Sequence, residues 1–392
     1  MARKSETIFT ADNLELINQV GLLGAKADLL KLSSALRSQG RSPESVTLAI
    51  SQGRLRHRAL TKFGTELASS MLLTEAGLEQ ATRSEVANWH AERFIDAGLT
   101  SVTDLGCGIG SDSIAFSKAG LQVKALEADL ATAEIAAHNL SGHQSAEVIV
   151  GTAETHEVDT EACYLDPARR KLDQKTAGRV MLQPEDFSPN LNFAFDLGSK
   201  VPAAIKLSGS FPHELIPANC EANWVSHNNE LVETILFFGK LGTQGKRSAV
   251  LLGQENLEFS GSHEQAEIQD LGAFIYDPNP ALVRSHLLGG FASENNLWGL
   301  SKSIAFLSSN SEIHSPWLRG FNVLEVLSLD PKRISKRLQE LGIGILEIKK
   351  RGVDTTPEEL RKKLRLKGKV SATLILTKLG EDRRAILCQP IG

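Results

Sequence analysis

The stretch Asp104-Leu105-Gly106-Cys107-Gly108-Ile109-Gly110 sets three glycines two apart, after an apolar run at 101–105 and before the helical pattern SDSIAFSKAG. A strand that feeds a glycine-rich turn at a helix start lets the backbone approach a ligand closely, because no Cβ intervenes. Alone, the pattern also fits a turn that holds nothing. Its spacing is GxGxG, not the GxGxxG of dinucleotide sites. Three more apolar runs end on polar or turn residues. Glu127 closes the second, where an acid can take both hydroxyls of a ribose. VIVGTAE closes the third and sets Thr152, Ala153 and Glu154 beside an adenine ring, and LDPAR, with Asp166, Pro167 and Arg169, closes the fourth. A surface acid explains Glu127 by itself; four successive strand ends point to a nucleotide-like ligand.

The elements that must carry these residues follow from periodicity. Residues before about 100 show helical spacing and no strand. NLELINQVGLLGAKADLLKLSSALRSQG places Leu and Val at three- and four-residue intervals. SPESVTLAISQG has a Ser start with Pro43 near the first turn, and EQATRSEVANWHAERFIDAG reads as one helix closed by Gly98. From about Thr100, the runs SVTDL, QVKALEA, AEVIVG, ACYLDP and PAAIKLSG alternate with helices, which predicts a mostly parallel sheet wrapped by helices. WVSHNNELVETILFFGKL and RSAVLLG read as two closing strands, near enough to pair antiparallel. The last third reads strand, helix, strand, helix, strand: FNVLEVLSL, PKRISKRLQELG, GILEIKKRG, TPEELRKKLRLKG and SATLILTKLG, followed by RRAILCQ.

Composition bounds the rest. A chain of 392 residues predicts two or three domains. MARKSETIFTADNLEL is too polar for a signal peptide, and no run approaches the roughly 18 apolar residues of a membrane helix. Cys107, Cys163, Cys220 and Cys388 lie far apart, without metal-ligand spacing, which fits a reducing cytoplasm and no metal. Pro331 to Gly392 holds 16 Lys and Arg against 7 Asp and Glu, an excess of +9 that leaves −13 on the rest of a chain of net charge −4. A basic end on an acidic body suggests a polyanion partner; a solvated face is the alternative. The charge concentrates at Lys349, Lys350 and Arg351 and at Arg361, Lys362, Arg365 and Lys367. On a helix from Pro357, Arg361 and Arg365 stand four apart, as do Leu360 and Leu364, so one face packs and another presents cations. No aromatic residue follows Pro331, which argues against a stacking platform for single strands.

In order, EQATRSE, DLGCGIGSDS, AAHNL, LDPARR followed by LQPEDFSPNL, KLSG and NWVSHNNELVE resemble the motifs of class I S-adenosylmethionine-dependent methyltransferases. Within that superfamily they are similar to the bacterial group with a THUMP-like C-terminal domain, which IYDPNPALV, FNVLEV and PEELRKKLRLK also match. The superfamily resemblance covers about Glu79 to Gly253; the group resemblance leaves out only about the first sixty residues. Members more often carry Thr-Gly-Gly where this chain has Gly106-Cys107-Gly108.

The resemblance implies an α/β fold with a Rossmann-like methyltransferase sheet. It divides the chain into a helical N-terminal domain (1–78), a methyltransferase domain (79–258), a ferredoxin-like connecting region (259–315) and a THUMP-like RNA-binding domain (316–392). It implies S-adenosylmethionine as cofactor. Gly106, Gly108, Gly110, Asp104 and Asp112 would stand at the turn, Glu127 and Ala128 at the ribose, Ala153 and Glu154 at the adenine, and Asp166 near the methyl. Gln80 and Arg83 are candidates for the cofactor's carboxylate end, or else a plain helix surface. In amino-methylating relatives a (D/N)PP(Y/F) motif accepts hydrogen bonds from an exocyclic amine. Asp166 and the Pro167 carbonyl would do so here, with Arg169 in place of the aromatic. Arg169 could grip phosphate, or with Arg170 cap the strand-4 loop by a salt bridge. Carbon-5 methylation would need a cysteine nucleophile, for which Cys220 is the candidate. His138 and Asn139 fall late in their helix and read as caps. The expected activity is methylation of a structured RNA such as tRNA or rRNA, at an exocyclic base amine. Action on protein or a small molecule, or a non-catalytic RNA-binding module, are the alternatives.

Overall fold

The computed structural model describes residues 8–169 and 183–391. Five helices come first: α1 (Ala11–Val20), α2 (Leu29–Ser38), α3 (Pro43–Ser70), α4 (Glu75–Gln80) and α5 (Ser84–Asp96). Polar side chains set their starts. Ser42 accepts from the Ser45 N–H with Pro43 in the first turn of α3, and Thr74 accepts from Gly77 to open α4. The single helix expected over EQATRSEVANWHAERFIDAG is two. The chain leaves helical geometry at Ala81–Arg83, where the Thr82 hydroxyl binds Asp112.

The parallel core follows: β1 (Ser101–Leu105), α6 (Ser111–Lys118), β2 (Gln122–Glu127), α7 (Leu130–Leu140), β3 (Ala146–Val150) and β4 (Ala162–Leu165). Next come the short pair β5 (Ala168–Arg169) and β6 (Phe187–Ser188), then α8 (Leu191–Gly198) and β7 (Ala203–Leu207). β1 lies between β2 and β4, β2 bonds β3, and β4 bonds β7, all parallel. β1 and β4 are buried almost throughout, as strands covered on both faces must be. β8 (Cys220–His227), β9 (Glu230–Phe238), β10 (Arg247–Leu252) and β11 (Leu257–Phe259) complete a nine-stranded sheet of order β11-β10-β8-β9-β7-β4-β1-β2-β3. Two expectations are corrected here. WVSHNNELVETILFFGKL is a hairpin, because Asn228 and Asn229 take φ of 49° and 64°, the left-handed pair a two-residue turn needs. RSAVLLG, as β10, therefore runs parallel to β8 and not antiparallel.

The remaining elements are β12 (Phe274–Pro278), α9 (Pro280–Arg284), α10 (Leu288–Glu294), β13 (Trp298–Ser301), β14 (Ile304–Ser309), β15 (Leu318–Ser328), α11 (Pro331–Glu340), β16 (Ile343–Lys350), α12 (Pro357–Lys363), β17 (Val370–Leu379) and β18 (Asp382–Pro390). They form a second sheet, β13-β14-β12-β15-β18-β17-β16. The strands of 259–315 thus do not close into a sheet of their own; β12 bonds β15 directly. Ile334 and Leu338 of α11 and Leu360 and Leu364 around α12 cover one face of this sheet; Ile275, Phe306 and Phe321 lie in a second apolar cluster. The α12 helix stops at Lys363, so Arg365 lies beyond it and does not share a helical face with Arg361.

The chain separates into two compact units. One holds Met1–Leu207, His213–Glu221 and Ile235–Gly245; the other holds Ser208–Pro212, Ala222–Thr234 and Lys246–Gly392.

Candidate functional site

The glycine turn lies between β1 and α6. Gly106, Gly108 and Gly110 take φ of 104°, 57° and 87°, values that favour residues without a side chain. An added Cβ at Gly106 or Gly108 would meet nothing within 4 Å, so open space lies over the turn. The turn is fastened below: the N–H groups of Gly106 and Cys107 both donate to the Leu126 carbonyl at 2.9 Å. Glu127, at the end of β2, accepts from the Gly108 N–H at 3.0 Å and from the Asp129 N–H at 2.9 Å. A carboxylate at the rim of an open backbone cradle is what a diol-bearing ligand needs. Ala128 and Glu154 are exposed nearby in sequence, and Ala153 is buried at the start of a single 3-10 turn after β3.

Asp104 and Asp112 are both buried, and each is held by neighbouring side chains. Asp104 accepts from the Ser113 hydroxyl at 2.6 Å, while its Oδ1 is buried without a hydrogen-bond partner. Burial and the charge of Asp112 push its carboxyl up to about 8, against the Ser113 hydrogen bond. Asp112 accepts from the Thr82 hydroxyl at 2.6 Å and contacts His90 Nδ1 at 2.9 Å. Burial opposes its ionisation, but the His90 hydrogen bond and charge, the charge of Lys206 and the Thr82 hydroxyl hold its carboxyl below the usual range.

Thr82 carries this network to the strand-4 end. Its carbonyl accepts from the Ser111 hydroxyl at 2.6 Å, and its Oγ1 accepts from Lys206 Nζ at 3.1 Å. Lys206, near the end of β7, also forms an ion pair with Asp166 at 2.5 Å. The glycine-turn helix, the α4–α5 break, β7 and the Asp166 loop are therefore one hydrogen-bonded set. Pro167 beside it is buried. Arg169 lies in β5, its backbone opposite Phe187 of β6, which brings LDPAR and EDFSP side by side. Arg170 lies outside the described residues.

The helical N-terminal segment reaches the same site. Lys62 of α3 donates to the carbonyls of Leu78 and Glu79 at 2.7 and 2.9 Å. Burial, then the charges of Lys206 and Arg83, bring its ammonium down to about 8. Lys62, Arg83 and Lys206 thus gather positive charge near Asp166, with Arg83 half-buried at the start of α5 and Gln80 exposed at the end of α4. Asn139 is more than a cap. Its amide accepts from the Leu72 N–H at 2.8 Å and donates to the carbonyls of Leu72 at 3.1 Å and Ile109, inside the glycine turn, at 2.8 Å. Gly77 of α4 presses so close that a Cβ there would come within 2.5 Å of Ile109 Cγ2.

Lys206, Thr82, His90 and Lys62 were not singled out by sequence. Lys206 had a signal: a lysine inside the apolar run PAAIKLSG, at the edge where the other runs end in polar residues. Thr82 lies within EQATRSE, beside the candidates Gln80 and Arg83; His90 and Lys62 had no signal, because only the packing of α5 and α3 brings them in.

The four cysteines are buried. Burial raises the Cys107 thiol well above its ordinary range and the Cys163 and Cys388 thiols to about 12. Cys220 is buried, with its thiol on the Pro217 carbonyl at 3.1 Å. None is a poised nucleophile, so a carbon-5 mechanism finds no support. Among the described residues, no group of three His, Cys, Asp or Glu could hold a metal, and no helix is long and apolar enough to cross a membrane.

The basic positions divide. Lys349 and Arg351 both bind Asp277, at 2.7 and 2.8 Å, and Arg361 donates to the Leu346 carbonyl at 2.5 Å. Lys350, Lys362, Arg365 and Lys367 are exposed. The two side chains on Asp277 therefore have a structural task that charge counting did not show.

Residues 318–390 match the family model described as THUMP domain-like. The chain is 29% identical over 350 residues to an uncharacterized S-adenosylmethionine-dependent methyltransferase of Mycobacterium tuberculosis, in strains CDC 1551 and H37Rv alike; the match covers 86% of this chain and 95% of the relative. A solved structure of a candidate methyltransferase from Porphyromonas gingivalis W83 superposes with a TM-score of 0.77 at 19% identity, covering 98% of this chain and 100% of that one. By fold, by this kinship over most of its length and by the matched C-terminal domain, the chain is a homologue of S-adenosylmethionine-dependent methyltransferases and ends in a THUMP-like domain.

Proposed function

We propose that the chain methylates an exocyclic base amine of a structured RNA, with S-adenosylmethionine as donor. The observation that carries this reading is Asp166, held by Lys206, which Thr82 links into one network with an open glycine cradle.

The residues fit the cofactor. The cradle over Gly106 and Gly108 is open to a depth that a side chain would fill. Glu127 stands where ribose hydroxyls would be bound, and Lys62, Arg83 and Lys206 supply positive charge for a carboxylate. The bound cofactor supplies an activated methyl group. The chain's own part is to align an acceptor and exclude water. A carboxylate can accept several hydrogen bonds, so Asp166 can take an N–H of the acceptor amine while keeping Lys206. That bond would orient the amine and favour a localised lone pair. Lys206 fixes Asp166; Thr82, anchored by Asp112 and His90, fixes Lys206. The THUMP-like match and the excess of +9 beyond Pro331 support RNA as the acceptor molecule.

The test is transfer of labelled methyl to unfractionated tRNA and rRNA, with nucleosides identified by mass. Asp166→Ala should abolish transfer and keep cofactor affinity within about threefold. Glu127→Ala should instead weaken cofactor binding, by about 2–4 kcal/mol for the hydrogen bonds lost. Parent-level transfer by folded Asp166→Ala would reject the amine reading, and methyl label found only in protein would reject RNA.

A further inference from the structure

A cavity of 800 Å³ opens in the second unit, with Asp277, Asn279, Trp317, Arg319, Lys349 and Arg351 among its walls. Its volume is that of a small-molecule site, for which about 300–1,000 Å³ is usual. Asp277 on β12 stands opposite Arg319 on β15. β16 is the far edge of this sheet, yet Lys349 reaches Asp277, and Arg351, just past β16, reaches Asp277 and the Ala305 carbonyl of β14 at 3.0 Å. The sheet therefore curls, and the cavity sits where its strand ends converge.

The walls are built in advance. Asn279 is 3% exposed. Its Oδ1 accepts from the Ser226 hydroxyl at 2.8 Å and the Ala281 N–H at 2.9 Å, and its Nδ2 donates to Asn229 Oδ1 at 3.1 Å. Arg319 makes a two-bond fork on Glu347 at 2.8 and 2.7 Å. Three permanent cations thus meet two carboxylates, Asp277 and Glu347. The cations outnumber the carboxylates along the cavity wall, and their guanidinium and ammonium groups carry more N–H donors than these ion pairs use. Trp317, Pro278 and Ile313 add an apolar wall.

We propose that this cavity binds a phosphate-bearing nucleotide of the RNA acceptor; the assignment rests on the RNA reading above. The fixed cations take the phosphate, and the apolar wall takes the sugar or base.

The experiment uses the full chain, with AMP and adenosine as small probes by calorimetry and unfractionated tRNA by anisotropy across a salt series. AMP should bind and adenosine should not. Lys349→Met, which leaves Asp277 to Arg351, should lose AMP. It should weaken tRNA binding about four- to sixfold in 0.15 M salt and flatten the log–log salt slope by about one. Lys349→Arg should keep both. AMP and adenosine behaving alike, or a folded Lys349→Met with the parent's tRNA affinity and slope, would overturn the assignment. If Lys349→Met does not fold, Arg319→Gln at the more exposed rim decides by the same readings. AMP bound and lost in the variant, with no tRNA bound by the parent, would support the nucleotide site and overturn the RNA reading instead.

Discussion

Asp104 and Asp112 show how differently two buried carboxyls of one motif can be held. Both are buried carboxyls, Asp104 near the end of β1 and Asp112 in the first turn of α6, yet one is pushed up to about 8 and the other held below its usual range. The difference lies in partners: Asp112 has Thr82 and His90, whereas Asp104 has Ser113 and a second oxygen with nothing. The sign of the consequence is fixed. Because the Asp104 carboxyl is raised from 3.8 to about 8, folding favours its protonated form. That contribution is full below the unfolded value and is lost as pH rises through the folded one. Asp104→Asn keeps an acceptor for Ser113 and does not titrate. Its melting temperature should therefore rise relative to the parent's steadily from about pH 5 to pH 8, and the difference should then stay constant. A difference that does not change with pH across that window would mean the carboxyl is charged throughout.

Among the elements, the helical N-terminal segment is hydrogen-bonded into the candidate site. Gln52 exchanges both amide hydrogen bonds with Leu73, and Arg56, fully buried, donates to Met71 and Ser70 carbonyls. The strap so held at 70–73 is gripped from the other side by Asn139, which also holds Ile109 in the glycine turn. Asn139→Leu removes that grip without touching the open face of the cradle. A buried group left unsatisfied costs about 1–3 kcal/mol, so the variant should lose about that much stability and weaken cofactor binding with it. Stability lost with cofactor affinity intact would make the clamp purely structural. The parallel strands were legible because each is a short apolar run closed by a turn or polar residue, and so were the C-terminal strands and helices. The break at Ala81–Arg83 was not, since helical spacing continues across it and the partners that hold Thr82 there, Ser111, Asp112 and Lys206, are distant in sequence. The β8–β9 hairpin hid behind one long apolar stretch, although Asn228-Asn229 was its signal. The glycines, Glu127 and Asp166 were legible at strand ends; Lys206, Thr82 and Lys62 depend on contacts across the fold, which spacing along the chain does not encode.

For the whole molecule, the asymmetry of charge decides how RNA could dock. The residues before Pro331 carry −13 and repel a polyanion, so on the RNA reading proposed above binding should draw mainly on the +9 that follows. The structure narrows which cations are available. Lys349 and Arg351 are held by Asp277, and Arg361 is tied to the Leu346 carbonyl, so reversing these would test folding as much as binding. Lys362, Lys363 and Lys367, at and just beyond the end of α12, are exposed and suit the test better. Each phosphate contact contributes a slope of about −0.7 to −0.9 in log affinity against log salt. The triple variant Lys362→Glu, Lys363→Glu, Lys367→Glu should therefore bind tRNA far more weakly and flatten that slope by about two to three units. Its cofactor affinity should equal the parent's, because the glycine turn belongs to the first unit and these lysines to the second. Anisotropy across a salt series, beside cofactor calorimetry on the same samples, separates the outcomes. A triple variant with the parent's tRNA affinity and slope would mean that these lysines are only a solvated face. Docking would then have to run through the cavity cations Lys349 and Arg319 and the exposed Lys350 and Arg365.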